Sequence, residues 1–249
     1  MRRRPYVFEI VIQFEMIIFV AGTLILLLFL CWSTFRSAVY LREIQPTFNL
    51  LLLPAENAVR LLLIAVCVWL ALSSAQPFAR FGWNVEEPAR DVVIGFAVGI
   101  LVALAMPTVT RIAVARFGTQ IYSPVVVQSI LPRNSREGLL VPLALIPAVL
   151  LEELLFRGLL VGGFAVFAPP LVLAVVWSIL FGAMHLPQGT LGIVVAGLLG
   201  LLLSALFLVT SSLLAPFIAH YVINLLQIAW ASRDKSRRDS YTKNTSSQS

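Results

Sequence analysis

A chain of 249 residues that is 59% hydrophobic, only 12% charged and has a mean hydropathy of +0.94 is excluded from the water-soluble globular class and reads as a polytopic membrane protein. At about 20 residues per span plus loops, its length accommodates on the order of seven helices in one bundle and excludes a second sizeable domain. The net charge of +6 lies in termini and loops, where basic residues orient a protein against a membrane, and it does not indicate a nucleic-acid partner.

Met1-Arg2-Arg3-Arg4 is followed by an apolar run from about Val7 to Cys31. The run exceeds a signal-peptide core and precedes no small-residue cleavage site, so it is expected to anchor. Glu9 and Glu15 within it are read as an interfacial residue and a polar helix contact. A loop with Arg36, Arg42 and Glu43 follows, and Pro54, Glu56 and Arg60 open a second span that runs to about Leu72. Glu56 and Arg60 stand four apart, the spacing of a local ion pair. Gln76 to Arg90 is a polar connector with Pro77, Gly82 and Pro88, and a third span from about Asp91 to Thr110 has no interior charge. The longest connection runs from Arg111 to Glu137; its weakly apolar part, Tyr122 to Leu131, suits an interfacial or re-entrant segment or an eighth crossing. Counting basic residues favours an outside N-terminus for seven spans, or two cytoplasmic termini for an even number. Cys31 and Cys67 belong to no motif and are read as inert core thiols.

From Gly138 the character changes. Up to Ser232 the only charged residues are Glu152, Glu153 and Arg157, set together within an apolar segment from Gly138 to Val166. A charge near the bilayer centre costs roughly 2.5–3.5 kcal/mol even on lenient scales, so such residues usually face a cavity or a bundle interior and carry function. Glu153 and Arg157 are four apart and suit a buried ion pair; Glu152 is turned away by about 100° and has no local partner. Pro142 and Pro147 before the glutamates, and Gly158, Gly162 and Gly163 after them, predict a kinked helix or two helices meeting near Glu152. Further spans are expected from Pro169 to His185, from Gly189 to Thr210 with small residues Gly192, Gly197, Gly200 and Ser204 along it, and from Leu213 to Trp230. The polar, basic tail from Ser232 to Ser249 reads as disordered.

The chain's two histidines both lie in this stretch. Phe181 precedes His185 by one turn, and His220 precedes Asn224 by one turn, so each pair shares a helix face. Polar groups on three separate spans suit amide hydrolysis. A carboxylate in a poorly solvated cavity is a better proton acceptor than one in water, which suits Glu152 as general base for water and later as proton donor to the leaving amine. His185 can share that water, and His220 with Asn224 can supply oxyanion donors. No Gly-x-Ser-x-Gly elbow is present and neither cysteine accompanies a histidine, which argues against a serine or cysteine nucleophile.

The motifs Glu152-Glu153-x-x-x-Arg157, Phe181-x-x-x-His185 and His220-x-x-x-Asn224, in this order, resemble those of the CPBP family of intramembrane proteases, which includes the Rce1-type CAAX prenyl proteases and bacteriocin-processing members. The resemblance spans about Pro147 to Leu226. It implies an intramembrane endopeptidase with catalytic residues Glu152, Glu153, His185, His220 and Asn224, structural support from Arg157 and Phe181, and a membrane-associated or lipidated protein or peptide as substrate. It also implies that a further helix, found after the last motif in some members, has no counterpart here. Two mechanisms stay open: a divalent metal such as zinc held by Glu152, His185 and His220, or metal-free, glutamate-dependent hydrolysis. No His-Glu-x-x-His is present to favour the metal.

The fold expected is an all-α bundle of about seven to eight transmembrane spans with its active site in a cavity within the membrane. It divides into an N-terminal transmembrane region, 1–137, that adds only hydrophobicity, a catalytic core, 138–231, and the tail, 232–249. The partners are the lipid bilayer and the substrate, in a multi-pass protein of a bacterial cell membrane. A proton-coupled transporter and a non-catalytic scaffold are the competing readings. The unpaired Glu152 and the His220–Asn224 pair have definite roles in a hydrolase and none in a relay.

Overall fold

A computed structural model describes the backbone of residues 4–43 and 48–246, and the side chains of residues 13–40 and 48–234. The expectations for Arg2, Arg3 and the last three residues lie outside the described backbone, and that for Glu9 outside the described side chains. The described residues form an all-α bundle whose helices are α1 (Arg4–Glu43), α2 (Pro54–Leu72), α3 (Pro88–Phe117), α4 (Val125–Ile130), α5 (Ser135–Glu153), α6 (Pro170–Ala183), α7 (Gly189–Thr210) and α8 (Leu214–Ser246). Among the described residues, six segments are long and apolar enough to cross a membrane: Gln13–Tyr40, Pro54–Leu72, Pro88–Phe117, Ser135–Val166, Leu186–Thr210 and Leu214–Asp234. Large apolar side chains such as Phe14, Leu139 and Val209 stand exposed on their outer faces, as lipid-facing residues do.

Four segments differ in extent from the sequence expectation. Arg36 lies on α1 itself, because nothing between Cys31 and Tyr40 breaks a helix. The Tyr122–Leu131 segment makes only the six-residue α4, since Pro124 and Pro132 bracket it, and six residues reach about 9 Å at 1.5 Å each, far short of a crossing. Pro170–Ala183 is apolar but has 14 residues, fewer than any of the six segments above. At its far end, α8 continues as helix to Ser246, past the start of the segment read as a disordered tail.

Helix starts follow local chemistry. Pro54, Pro88 and Pro170 occupy first-turn positions where a missing N–H costs nothing, and the Asn134 side chain caps α5 by accepting from the Glu137 amide at 2.9 Å. Close packing uses small residues. Gly95 and Gly99 on α3 lie against Ala215, Ile218 and Val222 on α8, where an added Cβ would come within 3.0 Å of its neighbours. Gly182 on α6 abuts the Ile193 carbonyl and Gly197 on α7, which makes α6 and α7 a tight antiparallel hairpin turned at His185–Gln188.

Directly after Glu153 the backbone widens from α to π winding over Leu154–Gly162, then tightens over Gly163–Val166. The expected irregularity near Glu152 is therefore a change of pitch inside one span. Every residue of the π segment is buried, and Phe19, Phe81 and Phe164 pack around its end. Gly162 meets the Arg80 carbonyl there, so no side chain fits at that crossing. π turns occur frequently at functional sites because they re-aim the residues beside them.

Candidate active site

The change of pitch follows two adjacent carboxylates that face different surroundings. Glu153, with 0% of its side chain exposed, accepts from Arg157 Nη1 at 3.0 Å and from His220 Nδ1 at 2.7 Å, both on Oε1. Glu152 keeps 40% of its side chain exposed and lines a cavity of about 390 Å³, with Oε2 at 3.7 Å from His220 Nε2. His220 thus stands between the two glutamates, one on each ring nitrogen. A carboxylate only accepts, so Nδ1 carries the hydrogen toward Glu153.

Arg157 is fully enclosed. Its Nη2 donates to the Gly200 carbonyl of α7 at 3.1 Å, and its Cζ lies 4.9 Å from the centre of the Phe181 ring. Together with Glu153 and His220 it ties the α5 end to α7 and α8, leaving Arg157 Nε and Glu153 Oε2 without hydrogen-bond partners. Burial of such a pair is stabilising only as a complete set, because either charge alone would stay desolvated.

Phe181 is the plate against which the site is assembled. Its ring centre lies 4.7 Å from that of His185, 6.1 Å from that of His220 and 4.9 Å from that of Phe156. Gly200 permits this, since a Cβ there would press on the Phe181 ring at 3.2 Å. His185 sits where α6 ends, and its Nδ1 donates to the Phe181 carbonyl at 2.7 Å. A carbonyl can only accept, so Nε2 is the nitrogen left for substrate or water. Asn224, one turn beyond His220 on α8, lines the same cavity and makes no hydrogen bond with any other described residue.

The cavity therefore brings together Glu152, His185, His220 and Asn224, whereas Glu153 and Arg157 stand behind His220 and Phe181 packs beside it. Among the described residues no three of His, Cys, Asp or Glu come together as metal ligands. No step below runs through a metal.

Eight of the 22 residues that line the cavity come from the part of the chain in which the sequence offered only hydrophobicity. Ser33, Thr34 and Ser37 of α1, Arg60 of α2 and residues of α4 line it, and Gln188 and Gln227 complete its polar lining. Ser33 and Ser37 are four apart and hence on one face, a faint signal in the sequence. Arg60 was legible only as a partner for Glu56; the structure keeps that contact at 3.9 Å and adds the cavity.

Residues 134–226 match the family model described as type II CAAX prenyl endopeptidase, Rce1-like. The family whose motifs the sequence resembles is thus the one whose model matches, over a segment that begins at the α5 cap and contains all three motifs. No curated protein and no solved structure matches the chain. With six apolar spans and this match, the chain is an integral, multi-pass membrane protein.

Proposed function

We propose that this protein is an intramembrane endopeptidase that cleaves a membrane-associated protein or peptide, with Glu152 as the base that activates water. The observation that carries the reading is the division of labour between neighbouring glutamates. Glu153 is held on Oε1 by Arg157 and His220 behind the site, while Glu152 presents its carboxylate to the cavity. The match to Rce1-like CAAX endopeptidases supports the reaction class, and its name makes prenylated CAAX tails the first substrates to try.

In this mechanism a water molecule lies between the Glu152 carboxylate and His185 Nε2. Glu152 takes one proton from it, and the hydroxyl oxygen bonds to the scissile carbonyl carbon. The carbonyl oxygen, now an oxyanion, accepts from the Asn224 carboxamide and from His220 Nε2. Because Nδ1–H is committed to Glu153, His220 donates from Nε2 only as an imidazolium, and Glu153 is the carboxylate that holds such a cation in place. Collapse breaks the carbon–nitrogen bond, and Glu152 returns its proton to the leaving amine. His185, fixed through the Phe181 carbonyl, orients the attacking water throughout.

The test compares membrane-fraction peptides from cells that express wild type or Glu152→Gln at equal levels. Peptides that appear with the wild type alone are the expected result, and identical peptide sets at equal expression would sink the reading.

A further inference from the structure

One strong charge in the cavity wall takes no part in this mechanism. Arg60 of α2 is the sole Lys or Arg among the described residues that line the cavity, and its side chain is 21% exposed. Its guanidinium is only half engaged. Nη1 donates to the Leu51 carbonyl at 3.3 Å and to Asn57 Oδ1 at 3.4 Å, while Nη2 meets Glu56 Oε2 only at 3.9 Å. Glu56 itself is 56% exposed, so it is a loose counter-ion. Nε and Nη2, which form one flat edge of the fork, make no hydrogen bond among the described residues. Such an edge matches the two oxygens of a carboxylate, and the bonds to Leu51 and Asn57 hold it in place.

The charge balance of the cavity gives the edge a purpose. The mechanism places two other ionic groups in its lining, the Glu152 carboxylate and a His220 imidazolium already paired with Glu153, so Arg60 is the cation left to meet an anionic part of a substrate. The hydroxyls of Ser33, Thr34 and Ser37 add neutral donors and acceptors to the same wall. A cavity of about 390 Å³ is of the size that takes a small ligand or a short length of peptide.

We infer that Arg60 is the anchor of a carboxylate subsite that selects and registers the peptide substrate relative to Glu152. The inference rests on the endopeptidase reading for its substrate class. The carboxylate is either the free C-terminus of the peptide or an Asp or Glu side chain near the scissile bond; both present the same chemistry to the guanidinium.

The experiment uses purified full-length protein in lipid nanodiscs and three fluorescent peptides of one apolar sequence: a free acid, its C-terminal amide, and the amide with one internal Glu. Binding is read by anisotropy and cleavage by mass spectrometry, for wild type, Arg60→Gln and Arg60→Lys. One charge-assisted bidentate contact predicts about tenfold or tighter binding of a carboxylate-bearing peptide over the plain amide. The preference is expected to vanish in Arg60→Gln and to survive in part in Arg60→Lys, which keeps the charge without the fork. Preference for the free acid alone assigns the C-terminus; equal preference for the internal Glu peptide assigns the side chain. Equal wild-type binding of acid and amide, or a preference that persists undiminished in Arg60→Gln, overturns the subsite. Discriminating binding with no cleavage of any peptide instead removes the endopeptidase reading and leaves the subsite standing.

Discussion

His220 Nδ1 lies 2.7 Å from Glu153 Oε1, and this single bond joins α8 to the end of α5 at the depth of the cavity. It fixes which glutamate is free. Glu153 is spent on holding the imidazole and Arg157, so its neighbour is the carboxylate left to meet water and substrate.

Replacing Glu152 by Gln keeps the size and removes the base. Cleavage is expected to fall by about a hundred- to ten-thousand-fold, the usual contribution of a general base, with thermal unfolding in detergent unchanged. Full activity in this variant would show that the base lies elsewhere.

Glu153→Gln strands Arg157 with no anion in a fully enclosed site. Breaking one partner of a buried pair costs about 3–5 kcal/mol, so the variant is expected to lose stability at least as much as turnover. Unfolding measurements beside cleavage assays decide the point: a stable but inactive protein would assign Glu153 to the chemistry.

Asn224→Ala removes a carboxamide that makes no hydrogen bond with any other described residue and is partly exposed to the cavity. Turnover is expected to drop by about a hundred- to a thousand-fold, as for loss of one oxyanion donor, while substrate affinity and stability hardly move. A change confined to KM would place Asn224 in substrate binding instead.

In the proposed metal-free mechanism, cleavage is expected to withstand a membrane-permeant chelator. Inhibition that added zinc reverses, seen in purified protein, would overturn the metal-free mechanism.

Gly182→Ala introduces a Cβ 2.5 Å from the Ile193 carbonyl, where backbone rather than a flexible side chain must move. Overpacking of this kind costs about 1–3 kcal/mol, so the α6–α7 hairpin should loosen and His185 at its turn should lose position. A lower unfolding temperature together with lower turnover is the expected outcome, and an unaltered protein would show that the hairpin yields freely.

The amino-acid sequence alone determined the membrane class, the all-α architecture and the three motifs, because hydropathy and one-turn spacing are local properties. Glu152 stood out since Glu153 has a partner four residues on and Glu152 does not. Small residues along α7 likewise announced close packing, which Gly200 provides beneath Phe181.

Only the tertiary structure decided how these pieces meet. The bond from His220 to Glu153 spans 67 residues of sequence, and no local pattern encodes it. Nor does local pattern reveal that Arg60, spaced for Glu56, also borders the cavity of Glu152, or that Ser33, Thr34 and Ser37 of α1 line it too. The lengths of the helices in Tyr122–Leu131 and Pro170–Ala183 were equally out of reach, since apolar composition reports preference for lipid while helix length is set by prolines and packing. A cavity is space left between helices, and its lining is fixed by their crossings, which long-range contacts alone determine.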